Sequence, residues 1–200
     1  MTGFDQKDLA ECADAEGLVA RAMHMADSTA RDELMERAYQ LLVPLVTKQM
    51  PAAQYLYACY FLSRECEREE DIERRYIELI QAAAHAGDAS AQFRLGQMLD
   101  RGGELDHDAE QSAYWFRLLA EQGDPYAQWV HGLNLLSGDG LAKDEPTGLK
   151  FIERAAAGKF EGALDFLADA YTAGNYGYPK DEKQAELYRR RMLDADVIGF

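Results

Sequence analysis

The sequence predicts an all-α protein, a solenoid built from antiparallel pairs of helices. Three observations lead to this prediction: small and large apolar residues recur at a fixed long spacing, glycine clusters separate the patterned stretches, and no stretch shows convincing period-2 alternation. Within each patterned stretch the apolar residues are three and four positions apart, which places them on one face of a helix. Each repeat is therefore interpreted as a helix, a turn and a second, antiparallel helix.

The first half of each repeat opens on an alanine. Four positions after this alanine comes a large residue, and a small residue follows it directly. Three copies with the same spacing open on Ala91, Ala127 and Ala163, and an earlier copy with two extra loop residues opens on Ala53. Small residues at the helix contact allow a close approach, and the large ones fill the remaining volume. The residue pairs are Tyr57-Ala58, Leu95-Gly96, His131-Gly132 and Leu167-Ala168.

The second half of each repeat carries a matching apolar stripe, and turn residues separate the two halves. Glycine closes a first helix because it adopts the left-handed cap conformation at low cost, and aspartate caps the start of a second helix. The glycines are Gly102, Gly138 and Gly174, and the aspartates are Asp108, Asp144 and Asp181. We expect helices over residues 51–64, 70–86, 89–101, 109–122, 125–137, 146–157, 161–173 and 182–194, and no sheet.

The amino-terminal quarter is less regular, as the terminal units of a solenoid usually are. We expect a short helix over 4–13 and a hairpin of helices over 17–26 and 29–49, with Ser28 as a cap and a kink at Pro44. The chain is interpreted as one solenoid domain over 1–200. Its parts are an irregular capping hairpin (1–50), four repeats (51–88, 89–124, 125–160 and 161–196) and an apolar tail (197–200).

The repeat pattern resembles a known family. It reads Ala-x3-Leu-Gly-x2-(Tyr/Leu)-x2-Gly, a glycine-containing turn, Asp, then Ala-x2-aromatic-x3-Ala-x2-Gly, and it resembles the Sel1-like repeat, a branch of the tetratricopeptide-like α-solenoids. The resemblance covers residues 51–195 well and 17–50 loosely. It implies a right-handed superhelix that acts as a scaffold or adaptor for other proteins, and it implies no enzymatic activity. His131 in a Leu position, Gly148 in an Ala position and Ala168 in a Gly position depart from the pattern.

Composition narrows the classes of partner. The chain has 21 Lys and Arg against 36 Asp and Glu, a formal net charge of −15. Nucleic-acid binding needs a basic surface, so we expect no nucleic-acid partner, and an acidic field attracts basic partners instead. No apolar run reaches the length of a membrane span, so we expect no membrane partner. The three cysteines and the lack of a signal-like amino terminus favour a reducing compartment, the cytoplasm.

Binding is expected on the inner face, which the first helices of the repeats form. Positions −1, +2, +6 and +9 from the opening alanine avoid the buried stripe and give an aromatic strip with an acidic end. Aromatic side chains are favoured in interfaces because they bury much area with few rotatable bonds. The alternative is that these side chains pack between successive repeats as core. The candidate partner-binding residues are Tyr55, Phe93, Gln97, Tyr126, Trp129, Leu133, Leu136, Asp165 and Asp169.

The sequence therefore predicts a non-enzymatic module that binds a protein or peptide segment of basic or amphipathic character. Adaptor, chaperone and inhibitor roles share this mechanism. No catalytic constellation, cofactor motif or metal-ligand spacing is recognised, so no catalytic residue, cofactor or metal is assigned. The alternative is a self-assembling subunit, such as a weak homodimer, in which the apolar tail docks on another copy instead of capping the last hairpin.

Overall fold

The computed structural model describes residues 3–64, 66 and 68–196, with side chains described to residue 193. These residues form ten α-helices and one short 3-10 helix and contain no strand, which confirms the predicted all-α fold class. By their contacts they group into two compact units divided between Leu95 and Gly96. The single domain over residues 1–200 stays a prediction, and the tail over 197–200 lies outside the described residues.

The first unit holds the helices that precede the most regular repeats. The helix α1 packs against α2, and α3 packs against both α2 and α4. The start of α5 also belongs to this unit. The bounds are α1 Gln6–Met23, α2 Ser28–Thr47, α3 Pro51–Tyr60, a 3-10 helix Leu62–Arg64, α4 Glu69–His85 and α5 Ala89–Arg101.

The second unit holds the remainder of α5 and five further helices. The helix α7 packs against α8, and α9 packs against α10, as antiparallel pairs joined by short turns. Ser112 at the start of α6 donates a hydrogen bond from its hydroxyl to the Gly96 carbonyl of α5 at 3.0 Å. The bounds are α6 Ala109–Gln122, α7 Pro125–Ser137, α8 Glu145–Ala157, α9 Glu161–Ala173 and α10 Glu182–Asp196.

The same turn closes three hairpins, as the glycine and aspartate pattern predicts. The glycine that follows each first helix has a left-handed φ, of 71°, 82° and 74° at Gly102, Gly138 and Gly174. The aspartate that caps each second helix donates its backbone N–H to a carbonyl of the first helix. These bonds are Asp108 to Leu99 at 3.0 Å, Asp144 to Leu135 at 2.9 Å and Asp181 to Tyr171 at 2.9 Å.

The amino-terminal prediction is wrong in two respects. One continuous helix, α1, replaces the separate segments expected over 4–13 and 17–26, because its buried residues follow one face without interruption. The cap of α2 is Asp27 and not Ser28: the Asp27 carboxylate accepts the backbone N–H groups of Thr29 at 2.9 Å and Ala30 at 3.0 Å. Pro44 lies inside α2 as expected, and the kink there stays a prediction.

The helix expected over 51–64 ends earlier, at Tyr60. Phe61 leaves the helical conformation with φ of −127° and ψ of −7°, and its ring becomes fully buried. The ring lies 5.7 Å from that of Tyr39 and 6.0 Å from that of Tyr57, measured between centroids. Burial of this ring thus accompanies the switch from α3 to the 3-10 helix that follows.

Candidate functional site

An open groove of about 580 Å³ lies between α7, α9 and the turn that follows α9. It brings together three of the predicted partner-binding residues: Trp129, Asp165 and Asp169. We call it the α7–α9 groove. It is lined by Trp129, Gly162, Asp165, Phe166, Asp169, Ala170, Thr172, Ala173, Asn175 and Tyr176.

Aromatic rings form one side of this groove. The ring centroid of Phe166 lies 5.8 Å from that of Trp129 and 4.9 Å from that of Tyr176. Trp129 is half-buried, and Tyr176 is 44% exposed. Gly162 allows this packing, since a Cβ built on it would lie 2.9 Å from Phe160 and 3.3 Å from Trp129. The aromatic surface is thus held in place by packing and stays partly accessible.

Tyr176 has a backbone conformation that few aromatic residues adopt. Its φ is 55°, in the left-handed region, and it lies between Gly174 and Gly177, whose φ values are 74° and 77°. A side chain in this region costs about 1–2 kcal/mol relative to the right-handed region. Such an outlier supports a functional hypothesis for the position, because the strain must be offset by the surrounding structure.

Two acidic side chains also line the groove. Asp165 and Asp169 are exposed on α9, and their i,i+4 spacing places them on the same face, one turn apart. Among the described residues, neither carboxylate has an ion-pair or hydrogen-bond partner. These two aspartates are the charged residues among those that line the groove, so its charged lining is acidic.

The other predicted residues of the second unit are more involved in packing. Tyr126 has its ring 6.1 Å from that of Phe116 and 5.6 Å from that of Phe160. Leu133 and Leu136 are half-buried and pack against the core cluster of α8 and α9. Gln97 is half-buried on α5. Trp129 and Phe166 pack against the same cluster, so whether the two leucines belong to a binding face or to the core stays a prediction.

Two predicted residues, Tyr55 and Phe93, belong to the first unit and are half-buried there. The Tyr55 hydroxyl hydrogen-bonds with Cys59, and burial is the main cause that raises the pKa of this phenol. Tyr55 thus remains neutral at physiological pH.

The sequence pattern does not predict the aromatic residues Phe166 and Tyr176, because they lie outside positions −1, +2, +6 and +9. Two signals point to them. Gly162 occupies the −1 position that holds Tyr126 one repeat earlier, which opens space for a neighbouring ring. Tyr176 stands in a turn between glycines, where a large aromatic residue is unusual.

The described residues contain no group of three or more His, Cys, Asp or Glu side chains placed to hold a metal ion. The His107 ring directs Nδ1 at the carbonyl oxygens of Leu99 and Asp100, at 3.1 and 2.8 Å, which are acceptors at the end of α5. No helix in the described part of the chain is long and apolar enough to cross a membrane.

Recurring helix pairs with the same closing turn define a helical-repeat protein. A family model described as Sel1 repeat matches residues 89–124, 125–160 and 162–191, together just over half of the chain. The chain belongs to the Sel1 repeat family, which confirms the resemblance seen in its sequence. Proteins with Sel1 repeats generally mediate protein–protein interactions and are generally not enzymes.

Solved structures share this fold. A Sel1 repeat protein from Oxalobacter formigenes has a TM-score of 0.72 and 17% identity, covering 94% of this chain and 73% of its own. A protective antigen of uropathogenic Escherichia coli strains has a TM-score of 0.66 and 22% identity over 78% of this chain. This chain spans only 33% of that antigen. An immunity protein from Pseudomonas aeruginosa has a TM-score of 0.51 and 15% identity, covering 99% of this chain and 85% of its own.

Proposed function

We propose that the protein is an interaction module that binds a basic or amphipathic segment of another protein, with the α7–α9 groove as a binding surface. The observation that carries the proposal is that partly accessible aromatic rings and two carboxylates line the same groove. Aromatic anchors next to charges that complement the partner are typical of protein-recognition sites. The net charge of −15 favours basic partners in the same sense.

Adaptor, chaperone and inhibitor roles all use this mechanism. The fold shared with an immunity protein is compatible with the inhibitor role but does not favour it over the others, since the likeness is in fold alone. We place the protein in the cytoplasm, which the three free cysteines support.

A comparison of two aromatic variants tests the proposal. Wild type, Trp129→Ala and Tyr114→Ala are used as baits in a pull-down, with circular dichroism to verify their folding. Tyr114 is 44% exposed on α6 and is not among the residues that line the groove, so it is the matched control. We expect wild type and Tyr114→Ala to retain the same partners. Trp129→Ala should lose at least one of them. Equal retention of every partner by all three baits would contradict the assignment of the groove.

Self-assembly is a second candidate, favoured by one observation on α10. Two large apolar side chains of this helix, Leu187 and Leu193, are 50% and 67% exposed. A homodimer through this helix would cover them. Light scattering over a range of protein concentrations tests it with wild type and Leu187→Ser. A wild type that is monomeric at every concentration would contradict assembly.

A further inference from the structure

We infer that the α7–α9 groove binds the guanidinium group of an arginine side chain from the partner; this inference rests on the proposed function. The groove offers the two kinds of group that recognise a guanidinium. Rings of Trp129 and Tyr176 present faces on which a cation is attracted, and tryptophan is the best residue for this. Asp165 and Asp169 supply carboxylates that accept its N–H groups.

The two aspartate carboxylates destabilise each other locally. They are like charges at i,i+4 on one helix, which repel each other, and neither is paired with a described side chain. A cation between them removes this repulsion. Arg189 of α10 reaches one lining residue but is already bound: it donates to Thr172 Oγ1 at 2.8 Å and to Glu182 at 2.9 Å.

In the first unit, an arginine of the chain itself already binds to a similar set of aromatic rings and a carboxylate. There the guanidinium carbon of Arg64 lies 4.8 Å from the ring centroid of Tyr39 and 5.4 Å from that of Phe61. The Arg64 guanidinium also donates to the Glu36 carboxylate. In the α7–α9 groove the rings and carboxylates are present and no described arginine is placed over the rings of Trp129 or Tyr176.

Arginine fits this arrangement better than lysine. Its planar group stacks on rings and offers paired N–H donors to carboxylates, and it is more weakly hydrated than an ammonium. The rings are preorganised, because Phe166 packs between Trp129 and Tyr176, so little side-chain freedom is lost on binding.

Other grooves carry charges of both signs. The cavity of about 550 Å³ between α1 and α2 is lined by Arg21 and Arg37 as well as Asp14 and Glu36. A second cavity of the first unit is lined by Arg75 and Glu78. Neither shows the single-sign complementarity of the α7–α9 groove.

Fluorine NMR of the full chain labelled with 5-fluorotryptophan tests the inference. The chain has two tryptophans: Trp129 reports on the groove, and Trp115, which is 3% exposed, is the internal reference. The probes are the blocked tripeptides Ala-Arg-Ala, Ala-Lys-Ala and Ala-citrulline-Ala. We expect saturable shifts of Trp129 alone with the arginine peptide. The citrulline peptide keeps the shape and loses the charge, so we expect it to bind about tenfold more weakly, and the lysine peptide to bind more weakly than the arginine peptide.

A charge-matched pair of variants separates local contacts from the overall field. Asp165→Asn with Asp169→Asn should weaken binding of the arginine peptide about tenfold. Asp106→Asn with Asp139→Asn changes the net charge equally at exposed turn positions that do not line the groove, and should leave binding nearly unchanged. The inference is overturned by an unmoved Trp129 resonance, by equal binding of citrulline, or by equal weakening in both double variants.

The pull-down distinguishes a failure of the arginine inference from a failure of the proposed function. Partners lost by Trp129→Ala but kept by the Asp165→Asn and Asp169→Asn double variant would leave the interaction module standing and overturn the arginine inference. An arginine peptide that shifts Trp129 while every protein partner is retained equally by Trp129→Ala would support the arginine site and contradict the proposed role of the groove.

Discussion

His131 occupies a position where the neighbouring repeats have leucine, and it is buried to 5% exposure. Its ring meets the Phe151 ring edge-on with centroids 4.7 Å apart, and no described residue hydrogen-bonds to its Nδ1. Burial lowers the pKa of this imidazole, Arg117 lowers it further, and Glu121 opposes them. The folded protein therefore holds His131 neutral more strongly than the unfolded chain does.

This residue predicts a dependence of stability on pH. Because the folded pKa lies below the unfolded value, only the unfolded chain is protonated between the two, and the stabilisation present above the unfolded pKa is lost as pH falls through that window. Between pH 7.5 and pH 5, the free energy of unfolding should therefore fall less in His131→Leu than in wild type. The difference is up to about 1.4 kcal/mol for each pH unit between the folded and the unfolded pKa of His131. Urea unfolding at both pH values measures it. Parallel losses in the two proteins would contradict the prediction.

Two glycines let α7 and α8 approach each other closely. A Cβ on Gly132 would lie 2.7 Å from Ile152 Cγ1 and 2.9 Å from the Gly148 carbonyl oxygen. A Cβ on Gly148 would lie 2.8 Å from the Gly132 carbonyl oxygen. This explains why Gly148 stands where the repeat pattern has alanine: the two backbones are in contact there, and no side chain fits.

We predict that Gly132→Ala lowers the free energy of unfolding by about 1–3 kcal/mol, because the added methyl meets backbone atoms that cannot move independently. The control is Gly17→Ala in α1, where a Cβ meets nothing within 4 Å. That change should stabilise by about 0.5–1 kcal/mol, since alanine favours a helix. Thermal and urea unfolding measure both variants. Equal effects of the two substitutions would contradict the close contact.

At the scale of an element, each hairpin depends on the turn that starts its second helix. The Asp144 carboxylate accepts the Thr147 backbone N–H at 3.2 Å, and hydrogen bonding from Thr147 lowers the pKa of this carboxyl. We predict that Asp144→Ala costs about 1 kcal/mol of stability, as loss of a helix cap usually does. Asp139→Ala, in the preceding exposed turn, is the control and should change stability little. An equally small effect of both changes in urea unfolding would show that the cap is dispensable.

A second element-scale feature links two of the first helices, α5 and α7, to the helix before each of them. Gln92 donates from Nε2 to the Ala84 carbonyl oxygen at 3.2 Å, and Gln128 makes the same bond to Ala120 at 3.3 Å. The glutamine follows the opening alanine in these repeats, whereas the last repeat has the buried Leu164 there. The repeat pattern contained this signal, but only the pairing of helices in space gives the amide a partner.

At the scale of the whole molecule, the net charge of −15 predicts how association responds to salt. Electrostatic attraction to a basic partner is screened as the Debye length falls from about 10 Å at 0.1 M to about 3 Å at 1 M salt. We predict that capture of partners on the immobilised protein, and binding of the arginine peptide, weaken steadily with added sodium chloride. Retention that is independent of salt would argue for a partner recognised mainly by apolar contacts.

The sequence by itself determined the helices that begin and end at local signals. The bounds predicted for α5, α6, α7 and α9 are confirmed. A glycine in the left-handed conformation follows each of these helices, and an aspartate caps the start of α5, α6 and α7; both signals act within a few residues of the chain. The amino-terminal helices were less accurately predicted, since α1 has a continuous buried face that the weaker pattern there did not reveal.

Only the tertiary structure decided which side chains of the predicted strip share a groove. Trp129, Asp165 and Asp169 line that groove, and Leu133 and Leu136 do not. All three apolar residues also pack against the core cluster of α8 and α9. Periodicity places a residue on a face of its own helix, but contact between helices depends on how closely they pack. At the groove Gly162 leaves room for the Phe160 and Trp129 rings, and the added rings, Phe166 and Tyr176, come from the neighbouring helix and its turn.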